Sequence, residues 1–94
     1  MFVINCSFTS ETTNMYDFFK LLENEGLVAA SREDKGNLKY ALYVNAEDPK
    51  NMLLIEQWES EDDMKAHAAS DIAAKFVALC DEYGVTPSAD IYEG

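Results

Sequence analysis

The stretch Met52-Leu53-Leu54-Ile55-Glu56-Gln57-Trp58, followed at once by Glu59-Ser60-Glu61-Asp62-Asp63, decides the fold. Its first seven residues are apolar on both alternating faces except at Glu56 and Gln57, which reads as a strand covered on both sides. Ser60 then opens a helix. Its hydroxyl suits a free backbone N–H, and the carboxylates behind it meet the positive end of the helix dipole. Reading Glu59, Glu61, Asp62 and Asp63 as a cation site is the weaker option, because adjacent helical carboxylates splay around the axis. A calcium loop also needs a glycine turn and alternating ligands.

Before this stretch, Asn45 to Asn51 carries Asp48-Pro49 and reads as a reverse turn. Leu38, Tyr40, Leu42 and Val44 alternate with Lys39, Ala41, Tyr43 and Asn45 in a strand entered through Gly36-Asn37. At the start of the chain, Phe2, Ile4, Cys6 and Phe8 alternate with Val3, Asn5 and Ser7 in another strand. From Ser10 the period changes. Met15, Phe18, Phe19 and Leu22 fall on one helical face, and the hydroxyl-rich lead-in suits capping. Gly26 lies late in this segment, and the small apolar run Leu27-Val28-Ala29-Ala30, with no proline after it, predicts that the helix continues. After Trp58, Ser70-Asp71 restarts a helix with an apolar face of Ile72, Phe76, Leu79 and Tyr83. Gly84 and Pro87 end it, and Ala89 to Tyr92 forms a short last strand.

The order strand, helix, two strands, helix, strand is the split βαβ pattern of an α+β, ferredoxin-like fold: one antiparallel sheet with helices on one face. At 94 residues the chain has room for a single domain over residues 1–94. A mass of 10.6 kDa implies ~5,500 Å² of folded surface, so about 64% of the chain's surface is buried, enough for a thin core. The composition, 48% hydrophobic, argues for a packed domain. The second sheet face carries too much apolar surface to be left in water. A homodimer stacked sheet to sheet would cover it.

Eighteen Asp and Glu against seven Lys and Arg leave a net charge of −11, which disfavours nucleic acid and anionic membrane as partners. Met1 to Phe8 lacks the basic start and long apolar stretch of a secretion signal, so a cytoplasmic location is expected. Cys6 and Cys80 lie 74 positions apart among apolar neighbours and read as buried free thiols. No Gly-x-Gly-x-x-Gly or Walker loop occurs. One histidine without paired cysteines does not make a zinc set or an iron triad. A serine triad lacks its Gly-x-Ser-x-Gly elbow. No cofactor and no metal is therefore expected, and any catalysis falls to acid–base groups in an apolar pocket.

Three motifs in order carry a more specific message. Arg32 to Tyr40 has the form Arg-x-x-x-Gly-x-Leu-x-Tyr, the strand Ile55 to Trp58 ends Glu-x-Trp, and Ala66-His67-Ala68-Ala69-Ser70 follows some ten residues on. With the Asp48-Pro49 turn, this pattern resembles the antibiotic biosynthesis monooxygenase superfamily, nearest to the small bacterial proteins labelled quinol monooxygenases. The resemblance spans nearly the whole chain. It implies a dimeric α/β barrel whose pocket lies between sheet and helices, and oxidation of quinols or polycyclic phenols by molecular oxygen without metal or flavin. That chemistry needs a base, a dry pocket and an aromatic wall.

His67 is the candidate base, since an imidazole takes up a proton near neutral pH; an ordinary helix histidine held by one hydrogen bond is the competing reading. Trp58 is either a pocket wall, a donor through its indole N–H, or core packing. Glu56 shares its strand face and must find a partner, with Arg32 and His67 as the candidates. Asn5 interrupts the first strand and could orient a substrate oxygen, and Tyr43 is a weaker pocket candidate. The heme-degrading branch of the superfamily needs an axial histidine where this chain has Lys75-Phe76-Val77. The branch that isomerises a phosphorylated autoinducer sugar needs more basic residues than seven. The remaining alternative is a non-catalytic barrel that binds a small apolar metabolite or serves as a stress-linked accessory protein.

Overall fold

The structure is a computed structural model and describes residues 1–94. Strands β1 (Phe2–Thr9), β2 (Asn37–Val44), β3 (Asn51–Trp58) and β4 (Thr86–Glu93) form one antiparallel sheet in the order β2-β3-β1-β4. Helices α1 (Met15–Asn24), α2 (Leu27–Glu33), α3 (Glu61–Ala68) and α4 (Asp71–Glu82) complete the ferredoxin-like α+β fold. The two central strands come from different strand–helix–strand units, as the sequence order predicts. Along β3, Met52, Leu54, Glu56 and Trp58 are buried and the alternate residues only partly so. The helices therefore cover the even-numbered face of β3. No helix is long and apolar enough to cross a membrane.

Register carries this face across the sheet. Tyr40, Glu56, Ile4 and Ile91 make one row, and Leu42, Leu54, Cys6 and Ala89 the next. Phe8 stacks on Phe76 of α4 with ring centroids 5.2 Å apart, and Phe18 of α1 meets Phe76 edge-on at 6.3 Å. These aromatic contacts tie α4 to β1 and α1 to α4. Met15, Phe18 and Leu22 are the buried face of α1, as their spacing predicts.

Four local expectations need correction. The first helix does not run through Gly26: that residue sits at φ +74°, and α2 starts afresh beyond it. A left-handed residue cannot sit inside an α-helix, and glycine adopts that conformation without a Cβ clash. The cap of α1 is the Asn14 carboxamide, which accepts from the N–H groups of Tyr16 (2.8 Å) and Asp17 (3.3 Å). The hydroxyl of Ser10 instead shapes the preceding loop by accepting from Thr12 and Thr13. On α4 the inward residues are Phe76, Leu79 and Cys80, while Tyr83 is 41% exposed. Finally, β4 starts at Thr86 and includes Pro87, which an edge strand tolerates because one side of its backbone has no ladder partner. Ser60 and Ser70 cap α3 and α4 as expected, accepting from Asp63 and Ala73 N–H at 3.2 Å each.

Gly36 locks the entry to β2 against α3. It lies at φ +82°, its carbonyl accepts from Glu59 N–H at 2.8 Å, and an added Cβ would stand 2.7 Å from Asp63 Cβ. Both the backbone conformation and the space demand glycine. Gly36→Ala is expected to destabilise the fold by about 1–3 kcal/mol, read as a lower urea midpoint at unchanged slope.

Candidate functional site

A cavity of about 300 Å³ opens between the sheet and helices α3 and α4. Its walls are almost wholly apolar, with Ile4, Cys6, Leu54, Met64 and Phe76 among them. Glu56 from β3 and His67 from α3 supply the carboxyl and imidazole groups, and Tyr40 from β2 stands beside them. Val77 and Ile91 line the cavity while remaining 63% and 58% exposed, so its rim is apolar too. A ligand enters such a site by shedding water rather than by pairing charge.

The polar groups form a chain. Trp58 is fully buried, and its indole N–H donates to Glu56 Oε1 at 3.1 Å. Glu56 Oε1 lies 3.9 Å from His67 Nε2, and His67 Nδ1 lies 2.6 Å from Asp34 Oδ2. The imidazole is tilted over the Trp58 ring, with centroids 4.8 Å apart, and meets Tyr40 edge-on at 6.0 Å. Ser70 Oγ donates to the His67 carbonyl at 2.6 Å, pinning the end of α3 that carries the ring. No buried side-chain nitrogen or oxygen lacks a partner.

Burial raises the Glu56 carboxyl above the ordinary range, opposed by the Trp58 hydrogen bond and by the charge of His67. A neutral carboxyl accepts from Trp58 and still has an O–H to give. Burial likewise pushes the Tyr40 phenol up. It also pushes the free thiols of Cys6 and Cys80 up to about 11, with Glu56 adding to the effect on Cys6 and Cys6 to that on Cys80. Both thiols therefore stay protonated and weakly nucleophilic, which suits their reading as small apolar residues. No three His, Cys, Asp or Glu side chains are grouped to hold a metal ion.

The structure brings together two of the six residues singled out in the sequence as lining the cavity, His67 and Glu56. Trp58 does not line it: the indole lies beneath the imidazole and gives its hydrogen bond to Glu56 instead. Arg32 does not pair with Glu56, because its Nε donates to the Tyr40 carbonyl at 3.0 Å, fastening α2 to β2. Asn5 and Tyr43 sit on the sheet face turned away from the helices, opposite Ile55 and Leu53. Strand alternation put Asn5 on the face of Val3 and Ser7 all along; its place as the polar interruption of an apolar strand drew it into the site, and the alternation argued against that. Asp34 and Tyr40 were not singled out. Tyr40 was legible as the row neighbour of Glu56 once the hairpin is closed, whereas Asp34, 33 positions from His67, gave no local signal.

These features define a ferredoxin-like α+β subunit with an apolar cleft that ends in a carboxyl–imidazole–carboxylate chain. The chain belongs to the antibiotic biosynthesis monooxygenase family, whose sequence model matches residues 2–79. Among solved structures, a candidate antibiotic biosynthesis monooxygenase from Deinococcus radiodurans superposes with a TM-score of 0.88 at 20% identity, covering 100% of this chain and 92% of that one. A candidate member from Nitrosomonas europaea gives 0.85 at 19%, covering 100% and 98%. A Bacteroides thetaiotaomicron protein described as a candidate oxidoreductase gives 0.85 at 17%, covering 99% and 96%. At these identities the likeness establishes the fold. A comparison with curated proteins returned no match.

The raised Glu56 carboxyl sets a stability test. A carboxyl favoured in its neutral form by folding adds most to stability at low pH, and that contribution is lost as pH rises through its folded value. Glu56→Gln keeps an acceptor for Trp58 without the ionisation. It is expected to melt at a higher temperature than wild type near neutral pH, with the advantage gone below about pH 4. Thermal melts across pH check it.

Proposed function

We propose that this protein is a cofactor-independent monooxygenase that oxidises a quinol or phenol with molecular oxygen. The observation that carries the reading is the gap of 3.9 Å between His67 Nε2 and Glu56 Oε1 at the polar end of an otherwise apolar cavity. That gap is too wide for a direct hydrogen bond, but one hydroxyl oxygen between the two atoms reaches both. The cavity volume of about 300 Å³ is about twice the ~150 Å³ that accepts benzene, which favours one or two fused rings.

In this reading the substrate O–H bond breaks, the proton goes to His67 Nε2, and the electron pair stays on oxygen as a phenolate. Glu56 holds that oxygen by donating its own O–H. The electron-rich ring then reduces oxygen: one oxygen atom enters the substrate and the other leaves as water with two substrate hydrogens. The substrate supplies all the electrons, so the reaction balances without a further reductant. The dry walls protect the reactive carbanion-like intermediate from protonation. The active-site residues are His67 as proton acceptor, Glu56 as hydrogen-bond donor, and Trp58 as the group that orients Glu56.

The working unit is a homodimer joined through the outer sheet face. Across that face run the rows Lys39-Gln57-Val3-Tyr92, Ala41-Ile55-Asn5-Asp90 and Tyr43-Leu53-Ser7-Ser88. Asp90 is its one carboxylate, although the chain has eighteen. A second copy covers this neutral surface and returns Asn5 and Tyr43 to a buried setting.

Oxygen uptake by purified protein on a panel of hydroquinones, naphthols and anthrone-like phenols tests the reaction. Uptake above buffer is expected on at least one, falling about 100-fold or more in His67→Ala. Uptake equal to buffer on every substrate, or full turnover by His67→Ala, overturns it. A ligand that quenches Trp58 and is never consumed would favour a binding protein instead. For the dimer, sedimentation should give twice 10.6 kDa for wild type. Ile55→Lys, in the middle of the outer face, should sediment as a monomer with an unchanged circular dichroism spectrum.

A further inference from the structure

His67 stands in the wall between two clefts. On one side it lines the apolar cavity; on the other it lines a polar cleft of about 390 Å³ with Asp34, Lys35, Asp62, Asp63 and Ser70. Its side chain is 10% exposed and that of Asp34 is 31% exposed, so the imidazole is shielded while the carboxylate meets water.

The two ring nitrogens have different neighbours. Asp34 Oδ2 is 2.6 Å from Nδ1, whereas the carboxyl nearest Nε2 is Glu56, at 3.9 Å. A neutral imidazole has one N–H, and an ionised carboxylate only accepts. The N–H must therefore lie on Nδ1, leaving the Nε2 lone pair turned into the cavity. The ring is held in place by Trp58 on β3, by Tyr40 on β2 and by the Ser70 bond to its carbonyl. Asp34 is fixed as well: it ends α2 with its N–H on the Ser31 carbonyl, and its own carbonyl accepts from Asn37 N–H at 3.1 Å. Lys35 pairs with Asp63 at 3.8 Å, so the imidazole is the one basic group paired with Asp34.

We propose that Asp34 is the positioning residue of the site: it fixes the Nδ1–H tautomer of His67, so that Nε2 accepts a proton from a ligand hydroxyl, and it stabilises the imidazolium that results. The second half rests on the proposed reading of His67 as proton acceptor. The first half does not. The ligand loses O–H, Nε2 gains N–H, and Asp34 stays ionised while its hydrogen bond to Nδ1–H becomes an ion pair.

His67 is the chain's single histidine, so nitrogen-15 NMR of the labelled, full-length protein reads one pair of ring nitrogens. In the neutral ring of wild type, the proton is expected on Nδ1. Asp34→Asn, which can offer an N–H in place of the carboxylate, is expected to move a large share of it to Nε2. On a quinol that wild type consumes, the same variant should lower kcat by about 100-fold or more with KM changed less than about threefold. A wild-type proton on Nε2 overturns the proposal without any variant. So does an Asp34→Asn tautomer ratio equal to wild type, or full kcat in Asp34→Asn. If the tautomer behaves as expected and no quinol is oxidised by wild type, the tautomer assignment stands and the monooxygenase reading falls.

Discussion

The register of β1 against β3 sets which side chains of the two central strands face the site. Ile4 lies opposite Glu56, Cys6 opposite Leu54 and Phe2 opposite Trp58, so the two central strands turn their large apolar residues and one carboxyl toward the helices. A slip of one residue would send Glu56 and Trp58 to the outer face and bring Gln57 and Ile55 inward. Apolar content does not prevent that slip on its own, because β3 is apolar on both faces. Polar side chains do. Asn5 and Ser7 of β1 share the outer face with Gln57 of β3, so a slip that turns over either strand buries a side-chain amide or hydroxyl.

The same register puts a carboxyl where packing would favour a leucine. Burying Glu56 costs free energy in either protonation state, and an apolar residue of similar volume would serve the core better. The structure reduces the cost without removing it: Trp58 donates to Oε1, and His67 stands near enough to interact but too far to bond. A carboxyl raised by burial beside an apolar cavity is a candidate functional group. The contrast with Arg32 is instructive. That side chain is spent on a backbone carbonyl and has nothing left to offer a ligand.

Much of this was legible in the order of residues, because strands and helix starts are written locally. The alternation of Phe2 to Phe8 and of Leu38 to Val44, the caps at Ser60 and Ser70, and the two buried free cysteines all follow from neighbours within a few positions. Gly26 shows where local reading ends: the run Leu27 to Ala30 is helix-compatible either way, and only the left-handed backbone at Gly26 decides that two helices meet there. The site was half legible for a related reason. Glu56 and Trp58 share a strand face by alternation, and the spacing to His67 matched a family pattern. Asp34 reaches His67 only because the turn at Gly36 brings the end of α2 alongside α3, and no periodicity encodes that approach.

The net charge of −11 bears on the chemistry as well as on partners. Forming a phenolate inside so acidic a chain is opposed by every surface carboxylate. Most of those charges are exposed, however, and act through solvent over distances where screening is strong, with a Debye length of ~8 Å at physiological salt. An imidazolium in contact with the phenolate acts at ~4 Å, where unit charges attract by about 4 kcal/mol at an effective dielectric of ~20. The local pair outweighs the distant field. In the proposed reaction, then, the proton must stop on His67 instead of passing to bulk water, since its charge is what keeps the substrate anion in place. Asp34 helps hold it there, and a neutral carboxyl at Glu56 avoids a second negative charge beside the phenolate. One ionised carboxylate outside the cavity and one neutral carboxyl within it is the charge arrangement that this chemistry requires.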